Sequence, residues 1–284
     1  MNSLKTIFRI TAQNFRKWQT DYRIWTIALF LIIMTLIYVD DVKKVADYTG
    51  GGMSVWIFPF LYSQFYTKVL FTLPVVLMFC DAPFVDKNQT FVMMRTTRTK
   101  WLCGQLLYIV LASGIYYLFI FAVSILSTVF YGDFSLEWGK TLNMLAYSPT
   151  VAYDAEVYSL TVSRIVVEYF TPLLACFYTF ILSWLSAIFL GHVVFVCNLF
   201  TGSRIWGIAA SSFFIILSIS ARGLRNLDRF SPISWSTLDG IDVGGLTFRP
   251  SIVYCLCAFA LLIGALAAAV IIFGRRKSLD TKGN

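Results

Sequence analysis

The sequence predicts an all-α polytopic membrane protein with six transmembrane helices. Three observations carry that prediction: 58% of the 284 residues are hydrophobic, only 13% are charged, and the charges are expelled from long apolar blocks instead of alternating with them. A soluble domain averages about 45–50% apolar and about 25% charged residues, so a mean hydropathy of +0.73 excludes disorder and most soluble folds. A spanning helix needs roughly 20 mostly apolar residues. Six of them leave room for a polar N-terminal segment and two sizeable loops.

Residues 1–23 carry Lys5, Arg9, Arg16, Lys17 and Arg23, with Leu4, Ile7, Phe8, Thr11, Phe15 and Trp18 at three- and four-residue spacing. This pattern predicts an amphipathic basic helix lying in the headgroup plane. A signal peptide would place its apolar core directly after the charged start and end it at small residues. Here the first apolar block begins only at Ile24, and no such cleavage site follows.

The apolar blocks predict spans over residues 24–39, 56–79, 101–130, 165–200, 205–219 and 251–273, followed by a tail over 274–284. The third and fourth exceed the bilayer and are expected to tilt or project. The fifth, held between Arg204 and Arg222, is expected to be short or interrupted. The long connections over 131–164 and 220–250 have mixed polarity and do not read as separate domains. The second holds Phe230-Ser-Pro-Ile-Ser-Trp235 and a glycine-rich stretch from Asp239 to Gly245.

Orientation follows from the distribution of Lys and Arg. With the N-terminus cytoplasmic, the inner side collects the five N-terminal cations, Lys87, Arg95, Arg98, Lys100, Arg204, Arg275, Arg276, Lys277 and Lys282, against Asp21, Asp81, Asp86 and Asp280. The remainder of the chain is slightly acidic, so both termini are expected in the cytoplasm. Topology alone then explains the net charge of +8, and nucleic-acid binding loses its support.

Few residues suit chemistry. All six cysteines lie in or beside apolar blocks, where cysteine acts as a small hydrophobe, and no disulfide framework is expected. Cys255 and Cys257 form a C-x-C without a second ligand pair, and His192 is the only histidine, which argues against a structural zinc site. His192 reads foremost as a histidine hydrogen-bonded between helices or sitting near the interface, with a proton relay as the alternative. No catalytic motif occurs within a span, so no catalytic residue and no metal site are assigned.

Lys68 is more informative, because it lies within the second block beside Gln64 and Thr67. A lysine at a helix centre costs about 2.5–3.5 kcal/mol on the insertion scale, while each Leu, Ile, Phe or Val returns about 0.3–0.6. With about a dozen such residues, the block still inserts. Gln64, Thr67 and Lys68 share one face, which is expected to meet protein or a water-filled path. Two roles stay open: a structural contact between helices, or the lining of a substrate path.

No G-x-x-x-x-G-K-[ST] phosphate loop exists in the chain, so any ATP-driven work needs a partner. The connection over 81–100 points to one. It is cytoplasmic by charge, yet contains Phe84, Val85, Phe91, Val92, Met93 and Met94. A short helix from Asp86 to Met94, flanked by Arg95 and Arg98, would present an apolar face able to dock in a groove on another protein. An ordinary interfacial helix is the alternative.

In its order of elements the chain resembles the permease subunit of a bacterial type 2 ATP-binding-cassette exporter. The resemblance covers nearly the whole chain. It rests on the basic N-terminal helix followed by Asp21-Tyr-Arg-Ile-Trp25, the six spans, the stretches Ala82-Pro-Phe-Val85 and Met94-Arg-Thr-Thr-Arg-Thr-Lys-Trp101, and the Phe230 to Trp235 segment. It implies a multi-pass protein of the bacterial cytoplasmic membrane that pairs with a second permease copy, identical or similar, and with two cytosolic ATPase subunits. ATP and Mg would be held by those partners, and this chain would need no cofactor of its own. By resemblance, Phe8, Phe15 and Trp18, together with Asp86, Phe91, Met94, Arg95 and Arg98, would meet the ATPase. Leu224, Phe230, Pro232 and Trp235 would form an extracellular gate, and Gln64, Thr67 and Lys68 would line the path.

The aromatic load of 26 Phe, 15 Tyr and 8 Trp suits a hydrophobic or amphipathic cargo, with a peptide ahead of a lipid-like molecule or a drug, although such residues also serve as lipid-facing surface. The alternative from another class is an ion-coupled secondary transporter or a substrate-capture membrane subunit, for which Lys68 is the clear candidate residue.

Overall fold

A computed structural model describes residues 3–85, 96–221, 227–243, 245 and 249–276. The predicted helix over Asp86 to Met94, with Phe91 and Arg95, and the candidate gate residue Leu224 lie outside the described residues. The described residues are mostly helical. Among the described residues five helices are long and apolar enough to cross a membrane, the architecture of an all-α multi-pass membrane protein.

Helix α1 spans Ser3–Arg16 and ends in a tight turn over Lys17–Gln19. Helix α2, Tyr22–Thr49, starts at Asp21, whose carboxylate accepts from the Arg23 amide. It ends at Gly50, whose φ of 57° gives the left-handed closure that a side chain would strain. It therefore runs ten residues past the predicted end, through Asp40, Asp41, Lys43 and Lys44. Lys44 bridges Asp40 and Asp41 across one turn, and Ser159 donates to Asp41, so the charged turns find partners where hydropathy alone signals a stop.

The second apolar block differs most from expectation. Helix α3 occupies only Phe65–Phe79, 15 residues, or about 22 Å at ~1.5 Å per residue, short of the ~30 Å hydrocarbon core. Residues 55–64 approach it as turns, with Phe58–Phe60 in a single tight helical turn. Irregular backbone at such a depth is tolerated only where protein covers it. Here Ile57, Phe58, Phe60, Leu61 and Tyr62 are all buried, and the Tyr38 hydroxyl donates to the Phe60 carbonyl at 3.1 Å.

Helix α4 spans Arg98–Thr128. A small outer layer follows: α5 at Gly139–Tyr147, α6 at Thr150–Asp154 and α7 at Arg164–Tyr169. It is tied down by a two-residue parallel pairing of β1, Met53–Ser54, with β2, Gly132–Asp133. Trp138 is buried there against Phe60 and donates to the Phe170 carbonyl at 2.8 Å. The predicted fourth span breaks in two. Helix α8 begins at Pro172 and runs to Thr201, because proline fits the first helical position and pushes Thr171 before it into an extended conformation.

Helix α9, Arg204–Ala221, is continuous over 18 residues rather than interrupted. Short turns over 227–241 lead to α10, Ile252–Arg276. Helix α8 is the most enclosed of the long helices and packs against α3, α4, α9 and α10. At Gly191 a methyl group would meet Ile109 Cγ2 at 2.5 Å and Phe79 Cδ2 at 2.9 Å, so only glycine allows this three-helix crossing.

The helix ends divide into two faces of different charge. On one, Asp81 pairs with both Arg23 and Arg204, and Arg275 Nε donates to Thr99 Oγ1 at 2.9 Å. Asn198 joins the same face: its Nδ2 donates to the carbonyls of Cys80 and Ala82, and its Oδ1 accepts from the Gly207 amide, which α9 leaves without a partner in its first turn. This basic face gathers both the N-terminal helix and the end of α10. The outer layer sits on the opposite face.

Candidate functional site

Two assemblies gather the residues singled out in the sequence. The first lies on the basic face. Helix α1 lies against the start of α4 at a close approach set by Gly104, where a methyl group would meet Ile10 Cγ2 at 2.7 Å. Unexpectedly for an amphipathic helix, its inward face is largely polar. Thr11 donates to the Gly104 carbonyl at 3.0 Å, and Asn14 Nδ2 donates to Gln105 Oε1 at 2.7 Å. Leu4 and Phe8 stay outward, Phe8 being 56% exposed, with Lys5, Arg9 and Arg16 on the neighbouring face.

Phe15 and Trp18 are used inside the chain. Their rings meet Tyr108 or each other at 5.0 Å, and Trp18 Nε1 donates to the Tyr108 hydroxyl at 2.7 Å. Phe84 completes the cluster at 4.9 Å from Tyr108, and Lys17 Nζ donates to the Phe84 carbonyl. The N-terminal helix and the described root of the connection over 81–100 thus form one platform. Arg98 opens α4 at its edge, whereas Asp86, Phe91, Met94 and Arg95 lie outside the described residues.

The second assembly lies near the opposite face, where two segments of short turns, 57–64 and 227–241, pack on α8. Lys68 stands here, in the first turn of α3 and not at a helix centre as the sequence implied. It is 5% exposed, and its Nζ donates to Thr237 Oγ1 at 2.9 Å. Beside Thr237, Ser183 of α8 donates to the Ser236 carbonyl at 3.0 Å, and Ser234 donates to Ser231. Thr67 donates back to the Gln64 carbonyl, while the Gln64 side chain turns away to Thr161 of the outer layer at 2.7 Å. Lys68 alone of the three therefore reaches Thr237, while the Thr67 hydroxyl and the Gln64 side chain are engaged elsewhere.

On the other side of the same turn, Pro232 and Trp235 roof an apolar cavity of about 700 Å3 between α8, α9 and α10. Phe189, Val193, Ala210, Phe214, Ala258 and Leu262 form its walls. Trp235 packs edge-on to Phe259 at 5.2 Å and is held by a bond from its Nε1 to the Asp228 carbonyl. Phe230 and Arg229 stand at the mouth, where the Tyr254 hydroxyl donates to the Arg229 carbonyl at 3.0 Å. The segment over 231–237 is thus a partition, polar towards Lys68 and apolar towards the cavity. Its partner residue Thr237 and the cavity walls were not picked out from the sequence, since nothing local marks them.

His192 is buried, with Nδ1 2.8 Å from the Ile188 carbonyl of its own helix. All six cysteines are free. Among the described residues no cluster of His, Cys, Asp and Glu has the grouping to hold a metal ion. No protein family, curated protein or solved structure matches the chain significantly.

Proposed function

We propose that this chain is the permease subunit of an ATP-driven exporter, working with separate ATPase subunits and a second permease copy to move an amphipathic cargo out of the cytoplasm. The observation that supports it is the platform on the basic face. Elements 90 or more positions apart, Thr11 with Gly104 and Asn14 with Gln105, are joined by buried hydrogen bonds. A push on α1 or on the connection after Phe84 would therefore be passed to α4 as one body. That is what a motor subunit needs from its contact surface. The partition over 231–237, packed on α8 at Ser183 and on α10 at Phe259, is the candidate gate, with Phe230, Pro232 and Trp235 in or beside it.

The test is affinity purification from the native membrane in mild detergent, with mass spectrometry of the proteins retained. A stoichiometric soluble ATPase is the expected result. Its reproducible absence under crosslinking overturns the proposal in favour of an ion-coupled transporter. One observation favours that second reading: Lys68 is buried where the interrupted start of α3 meets the turns over 227–241, and transporters build ion and substrate sites at interrupted helices.

A further inference from the structure

Two different kinds of contact hold the helix ends on the basic face. Asn198 of α8 is buried and bonds the carbonyls of Cys80 and Ala82 at the end of α3 and the Gly207 amide of α9, so these three elements form one fixed unit. The start of α2 is attached differently. Its first turn is uncovered, with Tyr22 86% exposed, and Ile27 is the first of its residues to be buried. Among the described residues, the polar bonds from this turn to the fixed unit all come from Arg23, to the Asp81 carboxylate and to Cys80 Sγ at 3.2 Å.

Both charges of the Arg23–Asp81 pair have a second partner. Arg23 shares its guanidinium with Asp21, the residue before α2, through Nε at 3.3 Å and Nη2 at 3.2 Å. Asp81 is held from its other side by Arg204, whose Nη1 lies 2.8 Å from Oδ1. Parting Arg23 from Asp81 therefore strands neither charge: the arginine keeps Asp21 and the aspartate keeps Arg204. The side chains of Arg23 and Arg204 are 50% and 73% exposed, and ion pairs so open to water are individually weak and screened by salt. The buried bonds of Asn198 are not.

We infer that Arg23 and Asp81 form a releasable latch between the first turn of α2 and the unit of α3, α8 and α9. Arg204 orients the carboxylate, and Asp21 receives the arginine when the latch opens. Closed, the latch holds the start of α2 against the root of the connection over 81–100. Open, it lets that turn swing away from Asp81 while Ile27 and Leu31 stay packed in the bundle. The two arrangements differ by one exposed ion pair, a gap small enough for both to be populated. The latch depends on the helix ends alone, so it stands or falls separately from the exporter proposal.

The test measures the separation of the starts of α2 and α9 in the full chain, reconstituted in phosphatidylcholine vesicles. Nitroxides are attached at the exposed positions Tyr22 and Ile205 through bioorthogonal amino acids, which spares the six free cysteines, and pulsed electron paramagnetic resonance reads the distance. The parent chain is expected to show a dominant short distance and a minor one about 5 Å longer, the pitch of a helix turn. Asp81→Asn and Arg23→Gln are expected to make the longer distance dominant. Salt at about 1 M, where the screening length falls to ~3 Å, is expected to raise its share severalfold in the parent and to add little in Asp81→Asn. Asp21→Asn discriminates a latch from a merely stabilising ion pair. Asparagine keeps the cap on α2 but removes the charge that receives Arg23, so the share of the longer distance is expected to fall below that of the parent. This variant leaves the latch intact and decides the matter if the other two fail to fold. Two results overturn the proposal: a distance that Asp81→Asn, Arg23→Gln and salt all leave at the parent value, or an Asp21→Asn variant in which the longer share does not fall.

Discussion

Lys68 and Thr237 are 169 positions apart, and the lysine Nζ donates to the threonine Oγ1 at 2.9 Å inside the helical bundle. The contact joins the first turn of α3 to the partition that roofs the cavity. A buried ammonium is tolerated only when its hydrogens are taken up. Thr237→Val keeps the shape and removes this acceptor, and is expected to lower stability by about 1.5–3 kcal/mol, the range for a hydrogen bond to a charged group. Lys68→Met removes the charge and its need for partners, and is expected to be milder, since it leaves neutral groups and not a buried ammonium short of a bond. Melting of the detergent-solubilised protein checks both, and the double variant should melt close to Lys68→Met. Under the proposed exporter function, Lys68→Ala is expected to alter transport while leaving ATPase binding intact.

The platform on the basic face separates two kinds of aromatic residue. Phe15 and Trp18 anchor α1 to Tyr108, whereas Phe8 points outward. Trp18→Phe breaks a bond to the Tyr108 hydroxyl and is expected to cost about 1 kcal/mol of stability, with no direct effect on a partner. Phe8→Glu is expected to leave melting unchanged within about 0.5 kcal/mol, as for exposed sites generally, and to reduce ATPase co-purification. Equal retention of the ATPase by Phe8→Glu and the parent chain would remove Phe8 from the contact surface.

Much of this architecture is written in hydropathy, and the departures have physical causes. Among the described residues the apolar blocks locate the five long apolar helices and the shorter α3, because long apolar runs must be buried. Hydropathy is blind to backbone conformation, however: the run from Ile57 to Tyr62 is equally apolar as helix or as buried turns, and only its cover of protein permits the turns. The charged end of α2 was unreadable because Asp41 meets Ser159, 118 positions away. The break before α8 is legible at Pro172, which opens the helix and holds Thr171 extended. In the site, Lys68 announces itself as a cation among apolar residues, but Thr237 and Ser183 are ordinary hydroxyls until folding brings them together. The cavity announces nothing, since its walls are apolar residues of the kind that fill every long helix here.

Two glycines make opposite predictions from the same substitution. At Gly191 an added methyl group would sit 2.5 Å from Ile109 and 2.9 Å from Phe79, while at Gly264 it meets nothing within 4 Å. Gly191→Ala is expected to destabilise by about 1–3 kcal/mol through overpacking. Gly264→Ala is expected to stabilise by about 0.5–1 kcal/mol, because alanine is the better helix former and no neighbour resists it. Melting in one detergent decides, and the crossing at Gly191 is refuted if both variants shift in the same direction.

Asn198 supplies the last and most demanding test. Its Nδ2 donates to Cys80 O at 2.9 Å and to Ala82 O at 2.8 Å, and its Oδ1 accepts from Gly207 N at 3.0 Å, so one side chain holds the end of α3 and the start of α9 together. Asn198→Ala strands three backbone groups, each costing about 1–3 kcal/mol when buried without a partner. A net loss at the lower end of that combined range is expected, because the face borders solvent and water can replace some bonds. Asn198→Asp keeps an acceptor for Gly207 but turns a carboxylate towards two carbonyls. It is expected to be worse than alanine at neutral pH and to recover as pH falls and the acid regains a donor. A stability that does not rise on acidification would place the side chain in a different arrangement. Because Ala82 leads directly into the connection proposed to meet the ATPase, Asn198→Ala should also weaken coupling at temperatures well below its melting point, read as ATP hydrolysis no longer stimulated by cargo.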